Sequence, residues 1–325
     1  MLTLAMLFSI AVPAFANDTN EKDTYDYTLG EIQDMLLTYF EENNIDIEIG
    51  TEEYFEYITE QLIYGTDKNL KAHPHYNLIH AYMAEYSNAY ADQCFYQEGV
   101  LRTSEMKYVG EQFYNSLDFS SETLGDIRLQ NELERLTVQN MPQTRSVVSS
   151  VYDGEAAAEY AILWARGENP NYEHYSKDCT NFVSQCIYAG GIDMNGSCTA
   201  PGVYDTTSDW YSQVFYTSNA SGNYQYKEFG VTTSWIRVAD LYTYLLLNEG
   251  KTSSSCHSHS LLIDNVEVGD IVQLYDETTF STHHSIIITD VSADDAEYCA
   301  HSTNRKSTSV REIDTTHESF VIIHM

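Results

Sequence analysis

The hydrophobic period of the chain changes part-way along, and this change constrains the fold most strongly. In several segments before about residue 250, apolar residues recur at three- and four-residue spacing, which is typical of amphipathic helices. After Asn265 the pattern becomes short β-branched runs, and the run 284–291 is apolar enough to be buried on both faces. Helices followed by consecutive strands predict an α+β fold with an antiparallel sheet.

The first half predicts a mostly helical accessory domain over 17–145. Thr51 is placed as an N-cap and Gly65 as a helix end. Tyrosines are dense here; an aromatic surface that holds sugars or peptide is one interpretation, but tyrosines on helix faces are more often part of a core. The stretch 94–114 has a mixed pattern that could include strands. The predicted helices cover 31–40, 51–65, 77–90 and 124–138.

The second half predicts a separate domain over 151–325, after a polar joint at 140–150. Asp153 is placed as the N-cap of its first helix, which would end at Gly167. A long polar loop is predicted over 195–230, and another helix follows and ends near residue 250. Four strands are predicted at 268–275, 284–291, 296–301 and 319–324.

Charge and the first residues bear on partners and location. The 325 residues carry a formal net charge of −33, and neither half is a basic module. This composition argues against nucleic acid and anionic membrane surfaces as partners. Residues 1–16 are uncharged and mostly apolar and end in Ala14-Phe15-Ala16, which predicts a secretory signal peptide although no Lys or Arg precedes it. We therefore expect a protein that is secreted or associated with the cell wall, with no membrane span.

Six cysteines are present at irregular spacing, and none forms a C-x-x-C pair. An exported protein with an even number of cysteines can form disulfides. If Cys179 is a free nucleophile, at least one other thiol is unpaired. Cys198 and Cys256 lie in polar stretches and form the first pair to test.

Cys179 stands at the predicted first turn of a short helix that ends at Gly190-Gly191. Asp178 is placed as its N-cap. The helix dipole favours a thiolate at this position, and several unrelated hydrolases activate a cysteine nucleophile in this way. The alternative is that Cys179 is a small buried hydrophobe. Cys186, two turns further on, is interpreted as a core residue.

Three histidines in the strand region are candidates for a base and its orienting group. His283 and His284 are adjacent, so on a strand only one of them faces the Cys179 helix. His301 ends the next predicted strand, so a Cys–His–His line is physically reasonable. The alternative is that each histidine fills a hydrogen-bonding position. The cluster Cys256-His257-Ser258-His259 could hold a soft cation, but a mobile loop is the favoured interpretation.

These segments together resemble the Putative amidase domain family, which is grouped with NlpC-like peptidases and CHAP domains in the papain-like cysteine superfamily. The resemblance covers roughly Tyr152 to the C-terminus. It is carried by D-C-T-N-F-V-S-Q-C-I-Y-A-G-G, T-S-W, V-G-D-I-V-Q-L-Y-D, H-S-I-I-I-T and A-H-S-T-N.

The resemblance implies an amidase or peptidase that acts without a metal or other cofactor, with peptidoglycan-type peptide as its substrate. It implies Cys179 as nucleophile, His284 as general base and acid, and His301 as the orienting residue, with Asn304 as the alternative for the third role. The oxyanion hole would combine the Cys179 backbone amide with a nearby side chain, Tyr172 or Tyr175. The residues assigned to the oxyanion and substrate side are Tyr172, Tyr175, Asp178, Asn304 and Trp235. Two alternatives remain open, a non-catalytic binding module and acyl transfer to an amine.

Overall fold

The structure of the protein is a computed structural model, and it describes residues 22–98, 121–141, 151–218 and 225–325. The predicted signal peptide, most of the polar joint and the part of the mixed stretch beyond residue 98 lie outside these ranges. No helix in the described ranges is long and apolar enough to cross a membrane.

The first half is helical, as predicted. Thr51 caps the second helix by accepting a hydrogen bond from the Tyr54 amide, and Gly65 ends it with a φ of 56°. The beginning of the mixed stretch, around Cys94, continues the fourth helix. The helices are α1 (Leu29–Asn43), α2 (Glu52–Tyr64), α3 (Lys68–Lys71), α4 (Tyr76–Glu98) and α5 (Leu124–Asn140).

Tyrosines of this half supply core volume, and several also satisfy their hydroxyls inside it. The Tyr54 and Tyr82 hydroxyls lie 3.1 Å apart in the buried core. The Tyr39 and Tyr57 hydroxyls both donate to the Asp67 carboxylate, at 2.9 and 2.8 Å. These side chains therefore act as core residues with polar ends, in preference to an exposed binding surface.

The second half contains helices and two sheets. Its helices are α6 (Gly154–Trp164), α7 (Cys179–Ala189), α8 (Thr233–Ile236), α9 (Val238–Leu247) and α10 (His259–Asn265). Its strands are β1 (Gly202–Tyr204), β2 (Ser212–Ser218), β3 (Gln225–Thr232), β4 (Thr252–Cys256), β5 (Ile271–Asp276), β6 (Thr282–Val291), β7 (Ala296–Ala300), β8 (Arg305–Ser309) and β9 (Glu318–His324).

The larger sheet is antiparallel, with strand order β4-β9-β5-β6-β7-β8. All four predicted strands are present, and two further strands, β4 and β8, form the edges. The edge strands were missed because their sequences, TSSSC and RKSTS, are polar and largely exposed. The predicted loop over 195–230 is also wrong, since it contains the three-stranded sheet β1-β3-β2.

Both faces of the large sheet are covered. Ile287 of β6 packs in a core with α6, α7 and α9, whereas Ile286 and Ile288 pack on the opposite face with α10. Ile63 of α2 is part of this second core, so the helical half contributes directly to the burial of the sheet. This arrangement explains why the β-branched run of β6 is apolar throughout.

Polar contacts also join the two halves. The Tyr64 hydroxyl lies 2.9 Å from the Tyr298 hydroxyl. Lys177, two residues before α7, donates to the Ser87 carbonyl of α4 at 3.1 Å. The helical half therefore packs against the sheet and against the segment that leads into the Cys179 helix.

The proposed Cys198–Cys256 pair is not formed, since both thiols are free. Cys198 lies close to Gly230, whereas Cys256 is buried in the core that α10 covers. The Cys256–His259 stretch is also not a loop, because it ends β4 and begins α10. Its histidines point to different partners, His257 to Glu277 and His259 to the Ile313 carbonyl, and do not converge on a cation.

Candidate active site

Cys179 is the first residue of α7, and only 1% of its surface is exposed. The helix packs in the core through Phe182, Val183 and Cys186, as their spacing predicts. The Cys179 sulfur lies 3.7 Å from the Thr180 hydroxyl, which in turn lies 3.2 Å from the Ser285 hydroxyl of β6. The thiol therefore lies at the start of a helix that is held against the centre of the sheet.

Cys186 is confirmed as a core residue. It is fully buried, and burial raises its pKa well above the ordinary thiol value. This shift makes Cys186 a poor nucleophile, in contrast to the position of Cys179 at the helix start.

Asp178 does not cap α7, contrary to the sequence-based prediction. Its backbone has φ −109° and ψ 4° rather than the extended conformation of an N-cap, and its side chain makes no capping hydrogen bond. Its Oδ1 instead accepts from the Tyr175 amide at 3.2 Å and from Asn181 Nδ2 at 2.8 Å. Its Oδ2 lies 2.6 Å from His301 Nδ1. Asp178 is thus a buried connection between α7 and the end of β7, and it does not line an open substrate surface.

His301 has both ring nitrogens engaged. Nδ1 faces Asp178, and Nε2 lies 3.0 Å from the Trp164 carbonyl oxygen. The ring also stacks on Phe182, with centroids 4.0 Å apart. His301 therefore makes no hydrogen bond to His284 in this structure, and the partner that it orients is Asp178.

His284 is buried, and its register sets the face on which it lies. It pairs with Leu274 of β5, whose side chain packs on the α10 face of the sheet, whereas the next residue, Ser285, contacts α7. Its Nε2 is buried without a hydrogen-bond partner in the described part of the chain. Burial and the nearby Lys177 charge lower the pKa of His284 to about 3, so the ring is neutral near pH 7.

His283 lies at an irregularity of β6, between the pairs Leu274–His284 and Tyr275–Thr282. Its Nε2 lies 2.7 Å from Glu318 Oε1, and its Nδ1 is buried without a hydrogen-bond partner among the described residues. An imidazole held by a carboxylate, with one nitrogen unused, is the arrangement expected of a general base. On the sequence alone, the base was assigned to His284 and not to His283. The only sequence signal for His283 was its position next to His284.

Glu318 belongs to a longer buried chain that includes the helical half. His80 of α4 lies between two carboxylates, with Nδ1 2.9 Å from Asp276 Oδ2 and Nε2 3.4 Å from Glu318 Oε1. Burial raises the pKa of Glu318 well above the ordinary carboxyl value. A residue of α4 thus supports the region of β6 that carries both candidate bases.

The residues predicted for the oxyanion and substrate side are divided between core and periphery. Tyr175 is buried in the α7 core. Tyr172 is partly buried and stacks on the fully buried Trp235, with centroids 5.8 Å apart, and burial raises the pKa of Tyr172 to about 12. Asn304 is exposed in the turn after β7 with a φ of 49°, a left-handed conformation that asparagine tolerates. The left-handed turn therefore explains why an asparagine occupies position 304. His301 does not need Asn304 as a partner, because both of its ring nitrogens have other partners.

Comparison with known proteins identifies the family. The profile described as Putative amidase domain matches residues 151–323, which is more than half of the chain. The chain belongs to the Putative amidase domain family. The residues matched by the Putative amidase domain include α6, α7 and strands β1 to β8, and they contain Cys179, His284 and His301.

Curated relatives add only local similarity. The uncharacterized protein YhbB of Bacillus subtilis (strain 168) is 47% identical over 45 residues, which is 14% of this chain and 14% of YhbB. The uncharacterized protein YjcM of the same organism is 32% identical over 103 residues, which is 29% of this chain and 22% of YjcM. The chain therefore spans less than a quarter of either relative. No solved structure matches.

Proposed function

We propose that the protein is an exported cysteine amidase or peptidase of the papain-like type, with peptides of the cell wall as its substrate. The observation that carries the proposal is the position of Cys179 at the first residue of α7, inside the Putative amidase domain. Amide hydrolysis needs a nucleophile at a site where backbone N–H groups can stabilise an oxyanion, and the start of a helix offers both.

In the proposed mechanism, a histidine of β6 takes the proton of Cys179, and the thiolate attacks the amide carbonyl carbon. The family resemblance assigns this role to His284, although the register of β6 in this structure places its ring on the α10 face of the sheet, away from α7. The Cys179 backbone amide and Tyr172 stabilise the oxyanion. The same histidine then protonates the leaving amine, and water hydrolyses the thioester. His301 acts as a positioning residue, because its contact with Asp178 holds the residue next to the nucleophile. His283 with Glu318 is the alternative base, since their 2.7 Å contact gives that ring a carboxylate partner.

The substrate needs a route to a nucleophile that is almost fully buried. A cleft of about 1160 Å³ lies between α5 and the sheet, and Lys177 forms part of its wall. Three basic and four acidic residues line it, so it is far less acidic than the chain as a whole: Arg135, Lys177, Arg237, and Glu85, Glu134, Asp240, Glu277. Mixed charge suits peptides that carry both free carboxylates and free amines. Cys179 does not itself line the cleft, but Lys177, two residues before it, does, and the cleft is therefore the proposed approach to Cys179.

The proposal is tested by incubating the purified protein with peptidoglycan and measuring newly released amino groups. The Cys179→Ala variant should lose the activity and keep its circular dichroism spectrum. Cys198→Ala is the matched control, because Cys198 is a free, partly exposed thiol outside the α7 core. Full activity in Cys179→Ala would exclude the cysteine mechanism.

A non-catalytic binding module is distinguished by thiol chemistry. The proposed nucleophile should react with iodoacetamide faster than Cys198, although Cys198 is the more exposed of the two. Slow alkylation of both thiols would favour the binding module. Acyl transfer to an amine uses the same residues, and product analysis with an added amine separates it from hydrolysis.

A further inference from the structure

Three potential metal ligands converge next to the nucleophile helix. They are His174, Asp178 and His301, and one ligand atom of each lies within 4.8 Å of the others. Asp178 and His301 are buried, whereas the His174 side chain is 49% exposed. The site therefore has a buried interior part and an accessible side.

Each of the three residues has a separate partner for its second polar atom. His301 Nε2 donates to the Trp164 carbonyl oxygen at 3.0 Å, and the other ring nitrogen, Nδ1, is directed at Asp178. Asp178 Oδ1 accepts from two donors of its own loop and helix, which leaves Oδ2 directed at the histidines. The Glu168 carboxylate lies 3.3 Å from His174 Nε2. The other ring nitrogen of His174, Nδ1, lies 3.6 Å from Asp178 Oδ2. Outer partners of this kind orient the ligands of protein metal sites.

The hydrogen-bond pattern around His301 requires a positive centre between it and Asp178. A carbonyl oxygen only accepts, so His301 Nε2 must carry its hydrogen toward Trp164. In the neutral ring Nδ1 then has a lone pair, which faces the Asp178 carboxylate at 2.6 Å. Two facing acceptors repel, so either a second proton or a metal ion must lie between them.

We propose that His174, Asp178 and His301 bind one divalent transition-metal ion of the zinc class. Two imidazoles and one carboxylate suit zinc and cobalt, and three protein ligands leave a fourth position for water or another small ligand. The bound ion links the loop before α7 to the end of β7, and Asp178 is bonded directly to Cys179. The metal therefore stabilises the start of the nucleophile helix. This inference does not rest on the proposed hydrolase activity.

Small shifts of the three side chains would bring their ligand atoms to the distances of a tetrahedral zinc site. Ligands that lie 2.0–2.1 Å from a tetrahedral zinc are about 3.3 Å from each other. The His174–Asp178 separation of 3.6 Å is close to this value, and the His301–Asp178 separation of 2.6 Å must widen. His174 lies in an exposed loop position before α7 and can follow the ion.

Cobalt(II) provides a direct test on the full chain after treatment with a chelator. We expect one cobalt per chain, with visible absorption bands of a four- or five-coordinate ion, and a rise in Tm with added zinc. His174→Ala should weaken cobalt binding at least tenfold. Because the His174 side chain is exposed, this variant should keep the native fold, which circular dichroism checks. His257→Ala is the matched control, because His257 is also exposed and also lies beside a glutamate, Glu277.

Three outcomes would overturn the proposal. They are the absence of stoichiometric cobalt binding, wild-type affinity in His174→Ala, and an equal loss of affinity in His257→Ala. The first outcome would show that a second proton on His301, and no metal, bridges the pair. Asp178→Asn, checked for folding by circular dichroism, provides a second variant that should lose the cobalt bands.

Discussion

Asp178 connects the segments on either side of the nucleophile. Its carboxylate contacts His301, 123 residues away along the chain, and also the first turn of α7 through Asn181. Burial raises its pKa, but hydrogen bonds from His174 and His301 lower the pKa of Asp178 below the ordinary carboxyl value. Because the pKa of Asp178 is lowered overall, the folded protein stabilises the ionised form of this carboxylate.

The Asp178→Asn variant should be strongly destabilised, because His301 is left buried without its anionic partner. Breaking a buried pair of this kind costs about 3–5 kcal/mol in the free energy of unfolding. Urea unfolding measures this cost. Asp153→Asn is the control, since asparagine is an equally good N-cap for α6 and should leave stability nearly unchanged.

The same residue makes a prediction about pH. Because the folded pKa of Asp178 lies below the unfolded value, its contribution to stability is fully present above the unfolded pKa. The contribution is lost as the pH falls through the folded pKa. Unfolding free energies measured below about pH 4 should therefore fall less steeply in Asp178→Asn than in the native chain. Parallel pH profiles of the two proteins would contradict this assignment.

The two adjacent histidines of β6 are separated by single substitutions. If His284 is the base, His284→Gln should reduce kcat by about 10²–10⁴-fold. His283→Gln should then change kcat much less, although loss of its Glu318 contact reduces stability. The opposite order of effects on kcat would assign the base to His283. Denaturation midpoints of both variants separate the catalytic effect from the structural one.

At the scale of elements, α4 supplies buried polar groups to the sheet. Glu85 of α4 has one carboxylate oxygen, Oε1, buried without a hydrogen-bond partner in the described residues. Burial raises the pKa of Glu85, and a hydrogen bond from Thr279 lowers it in part, so that the pKa of Glu85 is about 7. This helix therefore carries a carboxyl group that the fold holds in its neutral form at mildly acidic pH.

Glu85→Gln tests this consequence through stability. Between the ordinary carboxyl pKa and about 7, the unfolded chain releases the Glu85 proton and the folded chain keeps it. Stability therefore falls as pH rises through this interval and then levels off. The variant should lose this component and be more stable above pH 7 by at most about 3 kcal/mol. An unchanged pH profile of Tm would contradict the raised pKa.

At the scale of the whole molecule, the helical half completes the core of the sheet. Ile63 is 1% exposed and packs with strands of the second half, and Arg305 of β8 binds Glu60 of α2 at 3.1 Å. His80 lies between buried carboxylates of β5 and β9. Removal of the helices would expose this apolar surface and leave those carboxylates without their partner.

A chain limited to 151–325 should accordingly be much less stable than the full chain, or insoluble. In the full chain, Ile63→Ala should lower the free energy of unfolding by about 2–5 kcal/mol, because it opens a cavity against the sheet. Leu129→Ala is the control, since Leu129 is 58% exposed on α5. A soluble, cooperatively folding 151–325 fragment with native stability would show that the helices are a separable domain.

Much of the fold follows from local sequence. Helical spacing and end signals such as Thr51 and Gly65 locate the first-half helices, and the β-branched run of 286–288 locates the central strand. The nucleophile candidate is equally local, because a helix start needs only a few neighbouring residues. The polar strands β4 and β8 were missed, since they gain their hydrogen bonds from neighbouring strands and have no apolar pattern of their own.

The sequence by itself determined the α+β class, the Cys179 helix and the set of histidines from which a base can come. Only the tertiary structure decided the partners of those side chains. Sheet register put Ser285 on the α7 face, and the end of β7 brought His301 to Asp178. The physical reason is that hydrophobic period is a local property, whereas a side-chain hydrogen bond between distant segments depends on register, bulges and packing that no local pattern encodes.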